Sequence, residues 1–135
     1  MMPYLYEDQT FKIRGAAFDV YKSLGCWQKE KVYQSSLVIA LRKKGFEVET
    51  EKRIDIKYED QKVGTYVPDV VVNEIILIEL KAKPFIAKQD LQQIWHYLKC
   101  SDYLMGILLN FGAPGGVQFE KRVFDKARNK VKEWS

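Results

Sequence analysis

Pro68-Asp69, nine further residues, and then Glu79-Leu80-Lys81 form the spacing in this chain best suited to chemistry. These ionisable residues edge an unusually apolar stretch, Val-Pro-Asp-Val-Val-Val-Asn-Glu-Ile-Ile-Leu-Ile-Glu-Leu-Lys-Ala over residues 67–82. A charge among such residues costs free energy unless it is paired or ligates a metal. Two carboxylates can bind one hard cation such as Mg²⁺ and leave positions for water and a phosphate oxygen. Such an ion stabilises charge on the phosphate and lowers the pKa of the attacking water. A neighbouring lysine can orient that water or stabilise the pentavalent transition state. The pattern points to metal-dependent phosphodiester hydrolysis. It is short and degenerate, and the same residues also suit an aspartate at a strand start and a structural Glu–Lys pair at a strand end.

The elements that must position these residues follow from hydrophobic period and turn signals. Phe11, Ile13, Ala17, Phe18, Val20, Tyr21 and Leu24 fit a helix over 10–24 that stops at Gly25. Val32, Tyr33, Leu37, Ala40 and Leu41 mark a second helix over 29–44, ended by Gly45. From Phe46 the period changes to alternation through Ile54, Ile56 and Tyr58, with a polar turn at 59–62. Two strands follow, Val63–Val72 and Ile75–Ala82, joined at Asn73-Glu74. The second is apolar on both faces, as a central strand covered on both sides must be. A third helix spans Lys88–Cys100, then come strands Tyr103–Phe111 and Val117–Phe124 and a basic C-terminal helix over 125–135. The order α-α-β-β-β-α-β-β-α describes an α/β (α+β) fold with a mixed central sheet flanked by helices, here a single domain whose core runs from about 11 to 124.

Strand geometry makes a specific demand. Glu79 and Lys81 share a face with Cα atoms about 6.6 Å apart, and Leu80 points the other way. A two-residue turn at Asn73-Glu74 sets Asp69 opposite Ile78, away from Glu79. A three-residue turn or a bulge sets Asp69 opposite Glu79 on one face. Two helices add candidates. Glu30 and Tyr33 share a face of the second helix, so Glu30 can act as a third carboxylate, directly or through water; it is equally a first-turn carboxylate favoured by the helix dipole. Gln93 and Tyr97 are i, i+4 neighbours on the third helix and could bond a phosphate or hold Lys81; they also suit a polar helix shoulder. His96, the only histidine, reads as a surface residue.

At 135 residues, 47% apolar and 30% charged, the composition is that of a soluble globular domain. No apolar stretch approaches the roughly 18 residues of a membrane span, and the N-terminus lacks the apolar segment of a signal peptide. Cys26 and Cys100 have no metal-ligand spacing and read as free thiols in a reducing cytoplasm. Residues 121–135 hold six cations against Asp125 and Glu133, so the whole formal charge of +4 lies in this tail. Such a tail suits either a polyanion backbone or a solvated amphipathic helix.

Glu30-x-x-Tyr33, Gly64-Thr-Tyr-Val-Pro-Asp69, Ile78-Glu79-Leu80-Lys81-Ala82, Gln93-x-x-x-Tyr97-Leu98-Lys99 and Leu109-Asn110-Phe111-Gly112 occur in that order. The set resembles the GxxExxY protein family, a branch of the PD-(D/E)xK nuclease superfamily, over residues 13–124. The resemblance implies a restriction-endonuclease-like αβββαβ core and a Mg²⁺-dependent nuclease site in which Mn²⁺ can substitute. It implies Asp69 and Glu79 as metal ligands, Lys81 as catalytic lysine, and Glu30, Gln93 and Tyr97 as auxiliary residues, with Glu30 also near the metal. DNA is the implied partner, with RNA as an alternative, and a homodimer would let two sites cut two strands. The family's glycine before ExxY is Trp27 here, within Gly-Cys-Trp-Gln, which bears on where Glu30 points. The alternative is a non-catalytic nucleic-acid-binding or protein-interaction module on a decayed nuclease fold; the complete Asp69/Glu79/Lys81 set argues against decay.

Overall fold

The computed structural model describes residues 6–125 and 130–134. Helices α1 (Glu7–Leu24) and α2 (Glu30–Lys43) precede strands β1 (Val48–Glu49), β2 (Ile54–Tyr58), β3 (Gln61–Tyr66), β4 (Val70–Val72) and β5 (Ile76–Lys81). Helix α3 (Lys88–Lys99), then β6 (Met105–Asn110), β7 (Gln118–Asp125) and β8 (Lys130–Trp134) complete the chain. α1 begins one turn earlier than its apolar stripe, because Glu7 and Asp8 complement the positive end of the helix. Gly25 stops it at a φ of 69°.

Six strands form one mixed sheet in the order β1-β4-β5-β6-β7-β8, antiparallel except for the parallel β5–β6 pair. α3 is the crossover that a parallel pair requires. Ile13, Leu37, Leu41, Ile78, Leu80, Ile107 and Leu109 fill the core under α1 and α2. Val71, Leu77, Leu98 and Phe124 fill a smaller core on the other face, where Ile54 and Ile56 of the β2–β3 hairpin also pack. Gly106 lets α3 close on β6, since a Cβ there would meet Ile94 and Leu98. The expected mixed sheet between helices is thus the fold. Among the described residues no helix is long and apolar enough to cross a membrane.

Two expectations are corrected. The strand read as Val63–Val72 is broken at Val67-Pro68-Asp69: β3 pairs only with β2, in a separate two-stranded sheet, while β4 joins the main sheet. Pro68 has no N–H to donate, so the ladder stops there. The basic C-terminal helix over 125–135 is also overturned. Asp125 ends β7, and Lys130–Trp134 pairs antiparallel with it as β8, because the free β7 edge offers backbone partners that outweigh local helix preference. Residues 126–129 lie outside the described residues. Of the six tail cations, Lys121 and Arg122 are buried in β7 at 7% and 4% exposure and so do not face a polyanion. Lys121 Nζ donates to Thr10 Oγ1, and the Arg122 guanidinium lies over the Trp95 ring.

Tyr33 ties the α1–α2 connection to the sheet. It is fully buried and stacks on Phe111 with 4.6 Å between centroids. Its hydroxyl donates to the Gly25 carbonyl and accepts from the Gln28 N–H. Tyr33→Phe keeps the ring and orphans both backbone groups, so urea unfolding is expected to show a loss of about 1–2 kcal/mol.

Candidate functional site

The β4–β5 turn decides which side chains meet. Val70 pairs with Ile78, Val71 with Leu77 and Val72 with Ile76, leaving the three residues Asn73-Glu74-Ile75 as the loop. Asn73 and Glu74 take left-handed φ values of 51° and 59°. Asn73 is held by exchange with Glu47: its N–H donates to the Glu47 carbonyl and its Oδ1 accepts the Glu47 N–H, both at 2.9 Å. Continuing this register sets Asp69 opposite Glu79, the arrangement a shared cation site requires. Asp69 lies just before β4, where Pro68 has ended the ladder, and its Oδ2 accepts the Leu80 N–H at 2.8 Å. Gln34 of α2 donates to the Asp69 carbonyl at 2.7 Å. The Asp69 carboxylate is therefore fixed beside β5.

Glu79 and Lys81 point to the α3 face, as alternation dictates. Tyr66, at the end of β3, donates its hydroxyl to Glu79 Oε1. Tyr66 stacks flat on Tyr97 of α3, at an interplanar angle of 8°, and Gln93 Nε2 lies 3.4 Å from the Tyr97 hydroxyl. Gln93 and Tyr97 thus connect to the acid pair through Tyr66. Burial pushes the Glu79 carboxyl up to about 8, with help from the negative charge of Asp69 and a side-chain hydrogen bond to it, while hydrogen bonds from Tyr66 and the Asp69 backbone oppose the shift. Burial, and then the charge of Glu79, push the Tyr66 hydroxyl upward, so it remains a donor.

Lys81 meets Asp90 of α3, with Nζ 3.8 Å from Oδ1. The other oxygen of Asp90 takes Lys83 Nζ and the Ala87 N–H. The Asp90 side chain is 11% exposed. Burial alone would raise its pKa, but the hydrogen bonds from Lys83 and Ala87 and the two ammonium charges outweigh it and hold the carboxyl low. Asn110, fully buried, clamps the chain that carries these lysines. Its Oδ1 accepts the N–H groups of Lys83 and Gly112, and its Nδ2 donates to the Lys83 carbonyl and to Gln118 Oε1. Gly112 allows this approach, since a Cβ there would collide with the Lys83 backbone. Sequence reading missed Asp90, Tyr66 and Lys83 as site residues. Tyr66 and Asn110 lay within the quoted motifs; Asp90, an ordinary first-turn acid, carried no signal.

Glu30 opens α2 and shares a cleft of about 230 Å³ with Lys31, Gln34, Asp69 and Leu80. Its carboxyl is raised, first by partial burial and then by Asp69, against the opposing charges of Lys81 and Lys83. A larger cleft, about 400 Å³, lies between α1 and β7 and contains none of these residues. Among the described residues no three His, Cys, Asp or Glu side chains form a ready-made metal cage, so Glu30 stands near the Asp69–Glu79 pair without completing one. Two facing carboxylates with an open cleft still fit Mg²⁺, which keeps several waters and binds through one or two carboxylates plus substrate phosphates.

Glu79 makes stability depend on pH. Its folded pKa lies above its ordinary value of 4.5, so its contribution is complete below about pH 4.5 and is lost as pH rises through about 8. The metal-free protein is expected to lose urea resistance over this window, Glu79→Gln to lose much less, and added Mg²⁺ to restore wild-type stability at pH 8 with release of about half a proton per ion.

A family model described as PD-(D/E)XK nuclease superfamily matches residues 7–123. No curated protein and no solved structure matches the chain significantly. The match spans both N-terminal helices, the acid pair, Lys81, α3 and β6, so the described site falls wholly inside it. Nucleases of this superfamily act on nucleic acids and generally use divalent metal ions. The chain belongs to the PD-(D/E)XK nuclease superfamily.

Proposed function

We propose that this chain is a Mg²⁺-dependent nuclease, with Mn²⁺ able to substitute, that hydrolyses phosphodiester bonds in DNA and belongs to the GxxExxY branch of the superfamily. The observation that carries this reading is the β4–β5 register, which directs Asp69 and Glu79 to one face with Lys81 two residues further along it. Asp69 and Glu79 would hold the ion, and Glu30, which shares the cleft with Asp69, would add negative charge beside it. The bound ion supplies Lewis-acid stabilisation of the phosphate and acidifies a bound water.

The protein's own groups do the rest. The Leu80 N–H fixes one oxygen of Asp69. Tyr66 orients Glu79, and the Tyr97 ring and Gln93 brace Tyr66. Lys81, on the same strand face as Glu79, is the group that would orient the attacking water or offset charge developing in the transition state. Asp90 restrains Lys81, and Lys83 shares that carboxylate so that it does not hold Lys81 outright.

Cleavage of a plasmid or labelled oligonucleotide with Mg²⁺ or Mn²⁺ is the test. Asp69→Ala and Lys81→Ala are each expected to cut the rate by on the order of 10²-fold or more, without unfolding the protein. DNA binding that never leads to cleavage with any divalent ion would instead show a binding module. Asp90→Asn retains an acceptor for the Ala87 N–H but removes the charge facing Lys81. It is expected to lower kcat by roughly tenfold with KM unchanged, while circular dichroism shows the fold retained and the thermal midpoint falls modestly with the loss of the two ion pairs.

A further inference from the structure

We propose that Trp27 and Phe85 are stacking platforms for unpaired bases, so that the strand entering this site is single-stranded or frayed. The inference rests on the nuclease reading and names the form of its substrate. Large apolar side chains exposed singly need no explanation; these two are set apart by their position. Trp27 is 89% exposed and Phe85 68% exposed. Trp27 lies three residues before Glu30, and Phe85 two residues after Lys83. Glu30 shares a cleft with Asp69, and Lys83 shares the Asp90 carboxylate with Lys81. The two aromatic residues therefore flank, in the chain, a cleft residue beside Asp69 and a lysine that meets Lys81 at Asp90. Val67, two residues before Asp69, adds a third exposed apolar surface at 44%.

The charges beside them suit a polyanion. Lys29 caps the start of α2, Lys31 lines the cleft with Glu30 and Asp69, and Lys88 opens α3. All three are exposed, and among the described residues none of them has a carboxylate partner within salt-bridge distance. Exposed aromatic rings interleaved with free lysines are how proteins hold single strands: the ammonium groups follow the backbone, and the rings stack on bases whatever their sequence. A duplex hides its base faces and offers these rings nothing to stack on. Trp27 also stands where the GxxExxY pattern has glycine, so the platform would be a feature of this chain.

The test is fluorescence anisotropy with a labelled single-stranded oligonucleotide and the matching duplex, both in EDTA so that neither is cut. Trp27→Ala and Phe85→Ala are each expected to weaken single-strand binding by roughly tenfold, to leave duplex binding within about twofold, and to leave circular dichroism unchanged; Trp27→Phe is expected to retain most of the affinity. Wild-type single-strand affinity in both alanine variants would overturn the inference, as would parallel losses for single strand and duplex, or no oligonucleotide binding by the wild-type protein. Loss of a concentration-dependent self-association in Trp27→Ala, with oligonucleotide binding intact, would show an interface between copies of the chain instead. Because binding is read without catalysis, cleavage with unaltered single-strand binding removes only this inference. The expected binding pattern without cleavage removes only the nuclease reading.

Discussion

Two carboxylates held against each other on one face of a covered sheet are the constraint on which the rest of this structure depends. Glu79 is mostly buried, and burial and the charge of Asp69 together push its carboxyl up to about 8. An uncompensated acid pair of this kind is costly in a folded core. Its cost falls when a divalent cation is shared between the two. The neighbouring residues do not neutralise the pair; they orient it. Tyr66 contributes one hydroxyl to Glu79, and the Leu80 N–H contributes one hydrogen bond to Asp69. Cation sites that must release a substrate phosphate are built with such incomplete coordination.

The surrounding fold fixes three chain segments relative to that pair. The Asn73-Glu74-Ile75 turn, clamped to Glu47, sets the register. Tyr33 anchors the α1–α2 connection against Phe111, and with it the first turn of α2, where Glu30 lies. Asn110, with Gly112 beside it, grips the exit from β5, so that Lys81 and Lys83 arrive at Asp90 together. β6 ends in Asn110 and Phe111 follows it, which links two of these anchors through one strand. This gives a structural account of why Leu109-Asn110-Phe111-Gly112 accompanies the acidic motif in the sequence, although none of its residues carries a reactive group.

Much of this was legible in the sequence. The three helices, the central apolar strands and the acid–acid–lysine set follow from hydrophobic period and from charge within apolar surroundings. The sequence admits two turn lengths of opposite consequence, and the pairing selects the one that joins Asp69 to Glu79. What could not be read depends on partners distant in the chain. Nothing local shows that β3 leaves the main sheet, because alternation looks the same in either sheet. Nothing local shows that Lys130–Trp134 pairs as a strand, since its charges suit a helix until the β7 edge is present. Asp90 was invisible for the same reason: in sequence it is a first-turn acid, and only the folded crossover brings Lys81 and Lys83 to it.

The central claim is that Asp69 and Glu79 share one ion. A crystal structure of the protein soaked in Mn²⁺, phased near the manganese absorption edge, tests it directly. The account predicts an anomalous peak bridged by one oxygen from each carboxylate, at roughly 2.0–2.3 Å from each, with the Tyr66 hydroxyl displaced from or sharing Glu79. A peak bound elsewhere, or no peak in the cleft at saturating Mn²⁺ and a pH above 8, would contradict it.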